Sequence, residues 1–349
     1  MLRRELKPPE VVARCPCASY ARGMRLSHVL LSTAAVSCLA SFASSAANRP
    51  LLLAINKGDR TLAIVDANTY QVLGKAPTGP DPHEVVASAD GKVAYISNYS
   101  AGNGFANSLS LVDLDAFKAL PPIDLGPLRR PHGITIAGGK IYFTAEGSGV
   151  VGRLDPASRK VDWSISTGQD GTHMVIVSND LGRLFTTNMG SASVSLIDAA
   201  GRGQVSTIPV GRGAEGFDLS PDEKELWVAN AEDSTVSIVD TAARKLVQTL
   251  RVGFERANRL KFTPDGKYAL VSDLGGSGTL IVLEAAGRRE VKRIDLGGGA
   301  AGIQMAPDGS RSFVSVGPRN SVAVIDLKTL SVSARIATGP GPDGLAWVK

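Results

Sequence analysis

From residue 50 to its C-terminus the chain repeats one pattern. One copy reads GRGAEGFDLSPDEKELWVANAEDSTVSIVDTAARKLVQTLRVG (residues 211–253), and the next holds NRLKFTPDGKYALVSD and then TLIVLEAAGRREVKRIDLG. Copies begin about 42 to 47 residues apart, the period of a four-stranded propeller blade. Within a copy, short β-branched runs alternate with turn residues, the pattern of an antiparallel meander. SADGK, SPDEK, TPDGK and APDGS read as tight turns between the first two strands, with Asp and Gly supplying the side-chain hydrogen bond and positive φ that such turns need.

The third strand of each copy ends in an acid: Asp66, Asp113, Asp155, Asp198, Asp240, Glu284 and Asp326. These read as Asx-type turn caps, since no catalytic carboxylate is needed once per repeat. Seven acids predict an all-β, seven-bladed propeller with four-stranded antiparallel blades. The first copy, LLLAINKGDRTLAIVDANTYQVLGKAPTG (residues 51–79), lacks its innermost strand, and the C-terminal PGPDGLAWVK supplies one to spare. Pairing the two closes the ring and removes the open sheet edges.

The ends of the second strands are LAIN (53–56), YISN (95–98), FTTN (185–188) and WVAN (227–230). These resemble the YVTN-repeat β-propellers, the exported YncE-like family, over nearly all of the repeat region. FTAE (143–146), LVSD (270–273) and FVSV (313–316) depart from the motif. The resemblance implies the fold and export but no single activity, because propellers host binding, scaffolding, hydrolytic, lyase and redox roles.

Residues 1–47 read as a separate segment. From Met24, a basic start, an apolar middle and a small-residue exit make a secretory signal peptide, with cleavage near Ala46–Asn48. Translation is expected to start at Met24, with residues 1–23 a misassigned extension. A lipoprotein-type site at Cys38 is the alternative. Residues 48–349 then form the propeller, periplasmic or secreted, and are expected to be monomeric with no integral membrane segment. All three cysteines (Cys15, Cys17 and Cys38) fall in the leader, so the exported part has no thiol. The leader also holds six of the 38 Lys/Arg and two of the 33 Asp/Glu, which leaves the propeller at 32 against 31. DNA binding is associated with YncE-like proteins, but this near-neutral balance and the sparse aromatics argue against a nucleic-acid partner.

Aligning the innermost strands by their turns puts Asp343, His83, His132, His173, Glu215, Asn258 and Ala301 at equivalent positions, at the mouth of the central channel. Every histidine after residue 47 falls in this ring, on three consecutive blades. Two readings stay open: a loop-bracing habit of the repeat, or a site. As a site, His83, His132, His173 and Glu215 are candidate ligands for a divalent metal such as zinc or copper, and His132 is the candidate catalytic base. Arg129, Arg130, Arg212 and Arg256 are expected on the same rim, as charges that attract an anion or as ordinary solvated surface. The insertion NYSAGNGFANS (98–108) is expected there too, as a mobile loop offering Tyr99 and Phe105 to a ligand.

Three functions are therefore expected. The first is a non-enzymatic scaffold presenting a His/Arg-lined mouth to a small ligand, metal or protein partner. The second is a metal-assisted lactonase or lyase, by resemblance to propeller lactonases and virginiamycin B lyase. The third is a haem- or redox-associated propeller, by resemblance to that of dissimilatory nitrite reductase, although the chain has no CxxCH. No GxSxG, HExxH or Walker-type motif is present to decide among them.

Overall fold

The computed structural model describes residues 49–199 and 203–349, so the expected leader, its cysteines and the cleavage sites lie outside the described residues. The strands, numbered β1–β28 in chain order, form seven four-stranded antiparallel sheets. Blade 1 is β28-β1-β2-β3, and blades 2 to 7 take the remaining strands four at a time, from β4–β7 to β24–β27. The ring closes as expected: β28 (Pro342–Val348) pairs antiparallel with β1 (Leu51–Asn56), with Leu51 opposite Val348 and Leu52 opposite Trp347. No helix among the described residues is long and apolar enough to cross a membrane.

Burial explains the sequence of each strand. β1 and β2 (Thr61–Asp66), inner members of blade 1, are covered on both faces and read as unbroken apolar runs, LLLAIN and TLAIVD. The outermost strand of blade 3, β11 (Lys160–Ser166), alternates strictly between exposed and half-buried side chains. The core is not one mass. Among the described residues the apolar side chains form seven clusters, each between consecutive blades. Between blades 5 and 6, for example, Trp227 and Ile238 pack on Leu260, Phe262 and Val271. Each such Leu, Ile or Val contributes roughly 1.5–3 kcal/mol when fully covered.

Turn chemistry follows the sequence. Asp66, Asp113, Asp155, Asp240 and Asp326 each accept two backbone N–H groups, two and three residues ahead. Glu284 instead pairs with Arg289 at 2.8 Å. The motif asparagines are structural as well. Asn188 Nδ2 donates to Ser193 and Ser195, and Asn230 Nδ2 to Thr235 and Ser237, which locks the second strand to the third.

The feature that builds the mouth is a β-bulge repeated in every blade. In β4 (Pro82–Ala87), pairing jumps from Pro82–Asn98 to Val85–Ile96, so His83 and Glu84 face a single residue, Ser97. The same shift occurs in β8 (Pro131–Ala137), β12 (Thr172–Val177), β16 (Ala214–Leu219), β20 (Ala257–Phe262), β24 (Ala300–Met305) and β28. A bulge breaks the alternation of a strand and re-aims its side chains. Two successive residues per blade can therefore serve the channel.

The residue opposite the bulge ties the blades together. Thr144 Oγ1 accepts the Gly133 N–H at 2.9 Å and donates to the His173 carbonyl of the next blade at 2.6 Å. Thr187, Ser272 and Ser315 donate in the same way to the carbonyls of Glu215, Ala301 and Asp343. In blade 3 the hydroxyl is Thr144 because its second strand, β9 (Lys140–Ala145), ends at Ala145. The aligned motif there is YFTA, one residue earlier than the expected FTAE.

Candidate functional site

All seven aligned positions, His83, His132, His173, Glu215, Asn258, Ala301 and Asp343, stand second in their strands and line one cavity of about 1100 Å³ at the channel mouth. The glycine of the PHG motif is explained by packing. A Cβ on Gly133 would lie 2.7 Å from the His173 carbonyl oxygen, and one on Gly344 2.2 Å from that of His83. Glycine lets the innermost strands converge, while the residue before it remains free to face the cavity.

The three imidazoles form a row in which His132 and His173 stack and His83 is tilted by 57° to His132. His83 and His132 have ring centroids 4.9 Å apart, and His132 and His173 stack at 3.8 Å. Tyr99 closes the row, 4.3 Å from His83 and edge-on to His132 at 5.2 Å. Each histidine has a different environment. His173 Nδ1 meets Glu146 Oε2 at 2.8 Å and its Nε2 meets Glu215 Oε1 at 3.2 Å. Burial alone would lower the His173 pKa, but the Glu215 and Glu146 carboxylates outweigh it and raise it to about 9. His173 is therefore an imidazolium at neutral pH, and its charge in turn holds both carboxylates below their ordinary range against the opposing effect of burial.

His83 is neutral. Burial and the Lys57 ammonium lower its pKa to about 4. Lys57 Nζ lies 2.7 Å from His83 Nε2, and His83 Nδ1 lies 3.0 Å from the Asp81 carbonyl. A lysine only donates, so Nε2 carries the lone pair and Nδ1 the proton. His132 is neutral as well, its pKa pushed well down by burial and by the adjacent His173. His132 is 3 % exposed, and its Nδ1 has no hydrogen-bond partner.

Below the mouth, the second bulge residues of two distant blades meet. Arg259 Nε donates to Glu84 Oε1 at 3.0 Å across the channel, and its Nη1 reaches Glu215 Oε1 at 3.3 Å. Glu215 also accepts from Asn258 Nδ2 at 3.0 Å. This strut separates the mouth from a smaller chamber of about 260 Å³, lined by Val85, Ile134, Phe217 and Trp347 together with Lys261 and Gln304.

The arginines expected at the rim divide into two that line the cavity and two that do not. Arg130 enters the cavity, where it pairs with Glu146 at 3.2 Å and lies over the Tyr99 ring at 4.1 Å. Arg256 also lines the cavity. Arg129 and Arg212 do not; both are exposed, and Arg212 is held by Asp233 at 2.8 Å. The insertion is a hairpin rather than a loose loop. It extends β5 (Val93–Ala101) and β6 (Gly104–Asp113), with Ala101 opposite Gly104, and turns at Gly102, whose φ is 58°. Tyr99 from this hairpin donates to Glu146 Oε1 at 2.9 Å, and Phe105 stands half exposed above Arg130.

The stacked His132 and His173 rings carry their lone pairs in nearly parallel planes, and both nitrogens of His173 are engaged. Among the described residues no group of three or more His, Cys, Asp or Glu side chains is placed to share a metal ion. The residues that sequence reasoning missed are Lys57, Glu84, Glu146 and Arg259. Glu146 belongs to a 3-10 turn (Glu146–Ser148) directly after β9, where the one-residue offset of blade 3 concealed it.

No family model matches the chain, and no curated protein matches it. Solved structures do. A structure of Kuenenia stuttgartiensis hydrazine synthase is similar at 21% identity over 76% of this chain and 89% of that one, with a TM-score of 0.66. A putative 6-phosphogluconolactonase from Bacteroides fragilis NCTC 9343 is similar at 16% identity over 87% and 99%, with a TM-score of 0.72. The dihydro-heme d1 dehydrogenase NirN in complex with DHE is similar at 14% identity over 83% and 64%, with a TM-score of 0.62. At these identities the likeness is one of fold: the described residues form a seven-bladed β-propeller.

Proposed function

We propose that the protein is an exported propeller of the YVTN-repeat type that binds a small ligand at its channel mouth. The observation that carries this reading is the orphaned Nδ1 of His132, a residue only 3 % exposed, on a cavity of about 1100 Å³ whose Lys57, Arg130, Glu146, His173, Glu215 and Arg259 side chains are already paired. Preorganised walls around an unsatisfied group favour recognition, because little ordering remains to be done on binding. Native mass spectrometry of tag-free protein exported to the periplasm tests it. A small-molecule adduct is expected in the wild type and is lost in a His132→Phe variant that melts normally. No adduct in either protein, after incubation with periplasmic extract, counts against the reading.

A second reading is proton-transfer chemistry of the lactonase or lyase kind. The observation favouring it is the contact between a neutral imidazole, His132, and an imidazolium, His173, one a base and the other an acid. Turnover of a lactone that is lost in His132→Phe would support it. Metal assistance draws little from the donor geometry, and the haem reading draws only on a distant likeness of fold.

A further inference from the structure

The outermost strand of every blade leaves one backbone edge unpaired. Such an edge is a template for a further strand unless something blunts it. Six of the seven are blunted. β7 (Lys118–Asp124) carries Pro121 and Pro122, and β3 (Val72–Pro77) and β15 (Val205–Pro209) end in proline. β11 holds Asp162, β23 (Arg289–Asp295) holds Glu290, Lys292 and Arg293, and β27 (Ser331–Ile336) holds Arg335. In β19 (Lys245–Arg251) the residues between the two ends are uncharged and include no proline.

Its geometry suits an added strand. Every β19 residue except Leu250 is exposed. A register shift against β18 (Thr235–Asp240) leaves Val247 without an opposite residue, and Leu246 and Val247 are adjacent and 41 % and 42 % exposed. Beyond this bulge the pairing is regular. The Val252 N–H bonds inward to the Ser234 carbonyl at 3.2 Å, so by alternation the Thr249 and Arg251 N–H groups point away from the sheet. Leu246, Thr249 and Arg251 also line a cavity of about 540 Å³ with Val210 and Gly211, which follow β15 of the preceding blade. An open edge beside a side-chain cavity is how a sheet takes on an extended segment: the backbone binds it and the cavity reads alternate side chains.

Charge selects the partner. Arg244, Lys245 and Arg251 bound this edge, all exposed and none with an ion pair among the described residues. The acids around them are occupied. Asp240, opposite Lys245, accepts the Ala242 and Ala243 N–H groups, and Asp233, which shares the cavity with Arg251, pairs with Arg212 at 2.8 Å. On the next blade, by contrast, Arg289 is matched by Glu284 and Arg293 by Glu290. A second copy of the chain fits poorly: two β19 strands paired antiparallel about Gln248 would set Lys245 against Arg251 at both ends.

We propose that β19 is a docking edge that takes an extended, acid-ended segment of a partner protein as a fifth strand of its blade. Acidic residues at the ends of that segment meet Lys245 and Arg251, and an aliphatic side chain seats in the cavity beside Leu246. The bulge confines continuous pairing to Gln248–Arg251, so the charged ends and the cavity supply the rest of the recognition. This surface is separate from the channel mouth and does not rest on a ligand there. Fluorescence anisotropy with a labelled synthetic peptide, alternating Val and Thr between paired Glu at each end, tests it against a twin with Lys in place of Glu. Saturable binding of the acidic peptide is expected, at least about tenfold tighter than that of the twin, a difference of about 1.4 kcal/mol. Lys245→Glu with Arg251→Glu, both exposed, should reverse the preference. Thr249→Pro removes an outward N–H but no charge, and should weaken the acidic peptide in a variant that melts normally. An acidic peptide that does not bind, that binds no better than its twin, or that binds the double variant as tightly as the wild type would overturn the proposal. So would tighter binding to phosphatidylglycerol vesicles than to the peptide, or a dimer in sedimentation that the double variant abolishes.

Discussion

His132 and His173 stack with ring centroids 3.8 Å apart and planes 27° from parallel, yet the two imidazoles are driven to opposite protonation states. Chemically identical side chains diverge because two carboxylates bracket one ring and none brackets the other.

His173 should therefore titrate far above the other two imidazoles. Folded His173 has its pKa raised to about 9 from an ordinary 6.5, so the stability it contributes is fully present below pH 6.5 and is lost as pH rises through about 9. His83, lowered to about 4, acts in the opposite sense: the unfolded chain takes up its proton first, so stability falls as pH drops from 6.5 toward 4. Urea melts from pH 4 to 10 should show both losses, and His173→Gln should abolish the alkaline one. NMR titration of the ring signals checks the order directly.

Breaking the channel strut from one side should cost more than removing it. Arg259→Leu leaves Glu84 and Glu215 buried without their guanidinium and should destabilise the fold by roughly 3–5 kcal/mol. Adding Glu84→Met should recover a large part of that loss, as measured by denaturant melts in a double-mutant cycle.

Thr144→Val keeps the shape of the side chain but removes both of its hydrogen bonds, leaving the buried Gly133 N–H and the His173 carbonyl each short of one. A cost of about 1–3 kcal/mol is expected. Thr144→Ser should retain most of the stability, and a shift of the His173 ring signals in the valine variant would report the lost tie.

Equilibrium dialysis against zinc or copper should load the wild type to well below one ion per chain. Stacked imidazoles do not direct their lone pairs to one point, and the His173 nitrogens are engaged by Glu146 and Glu215. Stoichiometric loading that His132→Phe removes would show that the row opens to take an ion.

The architecture was legible because each repeat carries its own turn chemistry. The Asx acids, the positive-φ turns and the spare C-terminal strand are local signals, and they sufficed to align the mouth residues. The partners of those residues were not legible. Glu84 and Arg259 lie 175 residues apart and meet only because the ring closes. Lys57 and Glu146 follow second strands at positions where other blades place unrelated residues. The value of the S/T position in the motif was also hidden, since its role depends on a bulge in the adjacent strand that no periodicity announces.

The strut has a mechanical consequence. A closed array whose units touch only their neighbours deforms like a hoop: it can flatten into an oval while every neighbouring contact survives. Arg259 on blade 6 and Glu84 on blade 2 are not neighbours, and the bond between them is a chord drawn across the hoop. One spoke of this kind resists flattening along its own direction and makes the width of the opening a fixed dimension of the molecule.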